Sequence, residues 1–467
     1  MIAKYQWVLV IMAEYSIKKG FDLKLGGKPA TNIVDRLDAT TAIAYPLEFP
    51  SVKQRLIVKE GDHVKRGTVL IEDKNNANFK IRAPMGGKIQ SIIRGERRFV
   101  EQIVIQPDAE EQLESFARYT TGTLASAPRT ELLDQLVSTS YISLLRQRPF
   151  DIAADPKTTP KSIFVNAMNT GPHQVDAEVV INDDLEAFTA GITVLGRLTE
   201  GKINLCVSPT AGEALKSTQN VDVHTFAGPH PSGNTSVHIA KVDPLRKEEL
   251  IWTVKASDLV IIGRLFLDGA LPASRVISIG GSGAKSDAAN HYRVRMGADI
   301  SALLKEASNP GEVRVINGDA LSGTTLAADG ALRLMQSSIT LLTESEERYF
   351  MGWLDPGKKL LSFSRAFVST WAGGPSGERS LHTNRNGGKR ALVLTGLYDK
   401  VMPLNIMVDF LIRAIMANDT EEATKLGLLE VIPEDFALCD FVCPCKTEIQ
   451  SIIRDGLNQI MDEEGIS

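Results

Sequence analysis

The sequence predicts a multi-domain chain of mixed α/β and α+β class, and three observations predict it. The chain has 467 residues, more than one ordinary core holds when domains run to about 100–200 residues each. Short strand-and-turn segments give way near residue 128 to strand-length apolar runs alternating with helical stretches, the rhythm of a layered, largely parallel sheet. The C-terminal part then carries apolar residues at helical spacing. With 43% apolar and 23% charged residues, the composition is globular.

Residues 1–12 read as a non-native or disordered N-terminal extension, with initiation at Met12. The apolar run Trp7 to Met12 is far shorter than the roughly 20 residues that span a bilayer, and it lacks the flanks of a signal peptide. Residues 13–110 form a small closed β module. Val52 to Val58 alternates like a half-buried strand, Glu60-Gly61-Asp62 turns, Val69 to Lys74 follows, and a strand pair surrounds Ala83-Pro84-Met85-Gly86-Gly87.

Residues 125–262 form a central α/β Rossmann-like domain. Its strands are read at Ser162–Val165, Ile203–Val207 and Leu259–Ile262, with helix-compatible spacing over 175–195. Residues 263–325 return to short strands with one helix at Ile300–Glu306, a small α+β module. Residues 326–400 are irregular and include the loop Ala372-Gly373-Gly374-Pro375-Ser376-Gly377. Residues 401–467 form a helical domain. Pro403 is placed in a first helical turn before Leu404, Met407, Leu411 and Ile415. Asp419 or Thr420 caps the next helix, and Ile449, Ile452, Ile453, Leu457, Ile460 and Met461 stripe the last one. These stripes read as packing against the chain's own core, with a docking face for partner subunits as the alternative.

The net charge of −5 excludes nucleic acid as the natural partner, because a phosphate backbone must be met by clustered Lys and Arg. Four cysteines are too few for a disulfide framework and fit a reducing, cytoplasmic setting. Three of them, Cys439, Cys443 and Cys445, lack the spacing that wraps thiolates around zinc or an iron–sulfur cluster. They read as buried thiols. Gly280-Gly281-Ser282-Gly283-Ala284-Lys285-Ser286 has alanine where a phosphate-binding loop needs glycine before its lysine, so it reads as a plain loop. No dinucleotide fingerprint follows a strand.

Val58-Lys59-Glu60-Gly61-Asp62-His63-Val64-Lys65-Arg66-Gly67 with Ala83 to Ile89 resembles the lipoyl/biotinyl barrel-sandwich hybrid. In a carrier domain the modified lysine would fall at Lys74. Asn75 to Arg82 is too long and bulky for a carrier's tight tip, so Lys74 is expected unmodified. The loop Gly228-Pro229-His230-Pro231-Ser232-Gly233-Asn234, with His238 behind it, follows a strand at Val221–Phe226, where α/β sheets place ligands. His230 could relay a proton or donate to a quinone carbonyl. A structural loop whose imidazole caps a backbone carbonyl is the favoured reading.

The ordered set of segments carries a wider resemblance. Ile17 to Leu23 with Gly26-Gly27-Lys28-Pro29, the barrel-sandwich segment, Gly228 to Pro231, Gly263-Arg264-Leu265-Phe266, Asn386 to Ala391, Thr395 to Leu404 and Glu434 to Pro444 are together similar to the NqrA family, the peripheral component of the sodium-translocating NADH:quinone reductases. The resemblance implies an SLBB β-grasp-like module at 263–325. It implies a peripheral subunit on the cytoplasmic face of the bacterial inner membrane, working with the other five subunits and touching the membrane only through them. The complex passes electrons from NADH to ubiquinone and exports sodium. This subunit would take part in the step from ubisemiquinone to ubiquinol. FAD, FMN, riboflavin and iron–sulfur centres would lie on other subunits, and none on this chain. The stretch from Gln147 to Gly171 lacks the glycine-rich cradle of distant flavin-binding relatives. No catalytic, cofactor or metal residues are assigned. His230, His238 and Arg264 are the quinone-pocket candidates. The alternatives are a lipoyl or biotinyl carrier and a subunit that only braces the complex.

Overall fold

The computed structural model describes residues 13–326, 330–345, 354, 356–357, 360–361, 363–365, 367–370, 378–385 and 387–466. The N-terminal extension 1–12 and the Ala372 to Gly377 part of the irregular region lie outside the described residues.

Residues 42–107 fold as two small facing sheets. One holds Ala42–Ala44, Val100–Pro107, Gly87–Arg94 and His63–Val64; the other holds Gln54–Leu56, Val69–Asp73 and Lys80–Arg82. Leu70, Ile71, Ile81, Met85, Ile89, Ile103 and Ile105 are buried and fill the space between them. Lys74 sits just past the Val69–Asp73 strand, and its backbone N–H donates to the Lys53 carbonyl.

The α/β domain is built on four parallel strands in the spatial order Asp222–Ala227, Lys202–Val207, Ser162–Asn166 and Ile251–Lys255. The winding reverses at Ser162–Asn166, so helices cover both faces. The helices Leu185–Leu198 and Ala256–Asp268 pack closely. At Gly263 an added Cβ would lie 1.8 Å from the Ala187 carbonyl oxygen, so only glycine permits this approach.

The Leu259–Ile262 run, read from sequence as a strand, is the middle of the Ala256–Asp268 helix; the strand is Ile251–Lys255, just before it. Eleven of this helix's residues are buried, which erases the polar face that helical periodicity needs. Pro403 also differs from its reading. It stands between the helices Tyr398–Val401 and Val408–Met416 rather than in a first turn.

The segment before residue 40 does not stay with the two small sheets. Ala13–Ser16 runs parallel beside Asp222–Ala227 at the edge of the α/β sheet. Ala30–Arg36 pairs with Asn290–Arg295 in a third sheet, which also contains Ser274–Gly280, Ser338–Thr343, Val313–Asn317 and Thr324–Thr325. The helix Ser301–Ala307 packs against that sheet's core.

The C-terminal helices are Val408–Met416, Thr420–Lys425, Ala437–Val442 and Ile449–Glu464. Asp419 caps the second by accepting the Glu422 N–H at 2.9 Å. Ile449, Ile453, Leu457 and Ile460 turn inward and share one core with Phe164, Phe226 and Ile251 of the α/β sheet.

Candidate functional site: a cavity at the carboxyl edge of the parallel strands

The loop that leaves Ser162–Asn166 and the one that leaves Lys202–Val207 border a cavity of about 580 Å³, at the sheet edge where α/β folds hold ligands. Leu23, Leu25, Met168, Val175 and Leu215 give it apolar walls; His173 and His291 give it buried polar ones. The linker between Ala13–Ser16 and Ala30–Arg36 forms one side, so chain segments far apart in sequence meet here.

His173 is 7% exposed and has a left-handed backbone, with φ 62°. Its Nε2 lies 3.2 Å from the Leu25 carbonyl oxygen. A carbonyl only accepts, so the proton belongs on Nε2. Nδ1 is buried without a protein partner. Burial lowers the pKa of the imidazole, against the Leu25 hydrogen bond and the Glu378 and Asp319 charges, and favours the neutral ring. His291 has no free nitrogen: Nδ1 donates to the Ala30 carbonyl at 2.6 Å and Nε2 accepts the Asp176 N–H at 3.0 Å.

The first turn of the Ala177–Asp183 helix is already occupied by the chain itself. The Asp176 carboxylate accepts the Glu178 N–H at 2.9 Å, and Glu178 Oε1 accepts the Gly212 N–H at 3.0 Å. A flavin phosphate would meet two carboxylates where it needs donors, so these residues do not fit one.

His230 lies in the loop after Asp222–Ala227, and His238 lies in the helix Thr235–Val242 that the loop feeds. His230 is 3% exposed, its N–H donates to Asp22 Oδ1 at 2.8 Å, and its Nδ1 bonds the Thr170 hydroxyl at 3.1 Å. Its carbonyl presses on Gly20, where φ is 144° and a Cβ would sit 2.2 Å from that oxygen. His238 is fully buried; its Nε2 donates to the Ser232 carbonyl at 3.0 Å and its ring lies 4.3 Å from that of Phe226. Burial drives its pKa down to about 3. Arg264 stands apart from both. Its Nε and Nη2 clasp the Asp184 carboxylate, the latter at 2.7 Å, and Asp184 also caps the Leu185–Leu198 helix. None of the three lines the 580 Å³ cavity. His173 escaped the sequence reading because an isolated histidine in a loop without glycine-rich spacing carries no pattern.

A second, smaller slot of about 70 Å³ lies where the β module, the α/β domain and the third sheet meet. Glu48 enters it. Its Oε2 accepts the Leu334 N–H at 3.0 Å and its Oε1 is buried without a hydrogen-bond partner. Burial pushes its pKa up to about 8, against the pull of Arg333 and Arg275. The Arg333 guanidinium lies 3.9 Å over the Tyr45 ring at the same slot.

All four cysteines are buried and unpaired, with Tyr398 Oη 3.1 Å from Cys443 Sγ. Among the described residues no group of His, Cys, Asp and Glu is arranged to hold a metal ion. Gly280 ends a strand, and Lys285 donates to the Glu306 carbonyl at 2.7 Å; the next element is a strand rather than the helix a phosphate loop feeds.

Three family models match successive parts of the chain: the NqrA N-terminal barrel-sandwich hybrid domain over 15–108, the NqrA second alpha/beta domain over 127–271, and the NQRA C-terminal domain over 276–328. The A subunit of the Na(+)-translocating NADH-quinone reductase of Pasteurella multocida is 37% identical over 449 residues, covering 96% of this chain and 99% of that one. Its namesake from Yersinia pseudotuberculosis is 36% identical over 453 residues, covering 96% and 99%. An air-oxidized NAD+-reducing [NiFe]-hydrogenase chain aligns with a TM-score of 0.38 at 13% identity, over 76% of this chain and 67% of that one, a likeness too low to carry fold or function. The extent of the sequence matches is decisive: this chain belongs to the NqrA family of the Na(+)-translocating NADH-quinone reductases.

Proposed function

We propose that this chain is a peripheral, cofactor-free subunit that takes part in the quinone-reducing step of the complex, and that the 580 Å³ cavity receives the quinone head group. The observation that carries this reading is the cavity itself. It combines ligand-sized volume with a mixed lining, apolar at Leu23, Leu25, Met168, Val175 and Leu215 and polar at residues such as Asn169, Gln174 and Ser208. Electrons would arrive from NADH through FAD, FMN, riboflavin and iron–sulfur centres on other subunits, and ubiquinone would leave as ubiquinol while sodium is exported. The carboxylates at the Ala177–Asp183 helix start support the absence of a flavin here.

No helix of the described residues is long and apolar enough to cross a membrane. In this reading membrane contact runs through the other five subunits, at the cytoplasmic face. The doubly wound strand order supports a Rossmann-like reading of the central domain. His230, His238 and Arg264 are assigned to holding the scaffold, on the bonds from the His230 N–H to Asp22, from His238 Nε2 to the Ser232 carbonyl and from Arg264 to Asp184.

The test is photolabelling of the assembled complex with a photoreactive short-chain quinone. Label on peptides containing Leu23–Thr31 or Ala167–Glu178 is the expected result. A labelled complex with none of the label on this chain sinks the reading in favour of a bracing role. The exposed side chains of Met407, Phe410 and Met416, on or beside one short helix, would suit such a role.

A further inference from the structure

We propose that a polar cavity of about 300 Å³ binds a small zwitterion of the amino-acid class, with Lys255 taking its carboxylate and Glu434 its ammonium group. The cavity lies at the carboxyl ends of Ser162–Asn166 and Ile251–Lys255, the neighbouring strands between which the order of the α/β sheet reverses. Lys255 ends the second of these strands, beside Asn166. Gln174 comes from the loop after the first and also lines the 580 Å³ cavity. Asn317 and Ser337 of the third sheet's loops and Glu434 of the C-terminal part close the space, so regions far apart in the chain meet around it.

Most of the charge at this cavity is already committed within the protein. Asp151 lies 3.5, 3.8 and 3.9 Å from Arg146, Arg148 and Arg454. Arg454 also donates from Nη1 to the Phe150 carbonyl at 3.1 Å. Asp319 Oδ1 accepts the Leu321 and Ser322 N–H groups at 2.7 and 2.9 Å, and its Oδ2 accepts the Ser322 hydroxyl at 2.9 Å and the Gln174 amide at 2.6 Å. The two exceptions have opposite signs. Among the described residues, neither the Lys255 ammonium nor the Glu434 carboxyl has a hydrogen bond or an ion pair. They stand too far apart to pair with each other, yet close enough for Lys255 to draw the Glu434 pKa down while burial, Asp319, Asp435 and Asp151 push it up to about 7. A ligand that joins them needs a negative group for Lys255 and a positive one for Glu434. A dianion would meet Glu434 and Asp319, a lone cation would leave Lys255 unmet, and an apolar ring would take water from both charges and return nothing. The volume is at the small end for organic ligands, which suits an amino acid.

The experiment is calorimetric titration of the full-length protein with each of the proteinogenic amino acids, followed by derivatives of whichever binds. The expected result is binding of at least one. Its N-acetyl derivative, which lacks the ammonium group, and its amide, which lacks the carboxylate, should each bind about tenfold more weakly, since each loses a charge-assisted contact. Lys255→Met and Glu434→Gln should each weaken binding of the parent amino acid by about tenfold. If the Glu434 variant does not fold, Lys255→Met decides, because Lys255 is exposed. Binding of no amino acid overturns the inference. So does an affinity that Lys255→Met leaves unchanged, and so does an N-acetyl derivative that binds as tightly as its parent. The quinone reading stands or falls separately, on the photolabelling.

Discussion

A single carboxyl at the three-way junction makes stability depend on pH. Glu48 titrates near 4.5 when unfolded and about 8 in the fold, chiefly because its slot removes water from the charged form. Below pH 4.5 both states hold the proton. Between about 4.5 and 8 the unfolded chain releases it and the folded chain keeps it, so this residue makes stability fall as pH rises through that window. Glu48→Gln carries no such proton. It should raise the Tm at pH 8 by about 2–5 °C and change it little near pH 4.5. Melting curves of both proteins across that range check this, and an unchanged slope would show that Glu48 is solvated. The sequence could not reveal this residue, because a lone glutamate after Pro46 reads as surface; only the fold shows what covers it. The same holds for His173, whose burial beside the Leu25 carbonyl only the fold shows.

Among the elements, the pair of helices Leu185–Leu198 and Ala256–Asp268 depends on a side chain that the sequence offers as a quinone-pocket candidate. Arg264 ties the second helix to the N-cap of the first through Asp184, with Glu186 and Asp268 within 4 Å. About a third of the Arg264 side chain is exposed, so the pair lies between a surface and a buried bridge. Arg264→Ala should cost about 1–2 kcal/mol of stability while leaving quinone reduction by the assembled complex within about twofold. A loss of turnover with an unchanged Tm would return Arg264 to the quinone site.

Elements are legible in the sequence where one face stays wet. Val52 to Val58 alternates between covered and exposed positions, Val69–Asp73 lies nearly where the pattern puts it, and Asp419 announces the helix that it caps. Legibility fails where burial is complete. Leu259 to Ile262 is apolar all round, and a helix and a strand look alike under that condition. It fails again at Ala13–Ser16 and Ala30–Arg36, because strand pairing across more than roughly 200 residues leaves no local trace.

The molecule as a whole is stitched by cores that ignore domain boundaries. The C-terminal helices share a core with Phe164, Phe226 and Ile251, each 0% exposed. A chain ended after Gly396 would present that surface to water. It should aggregate or lose its cooperative melt on size-exclusion and calorimetric analysis. A monodisperse, cooperatively melting truncation would mean that the α/β unit stands alone. The placement of Ala13–Ser16 also has a consequence for synthesis. This strand leaves the ribosome roughly 210 residues before its neighbour Asp222–Ala227. At roughly 5–20 residues per second, the leading segment waits about 10–40 s with its hydrogen-bonding edge unclaimed. During that interval the nascent protein depends on whatever shields it from its neighbours, and closing the sheet is a late event of its birth rather than an early one.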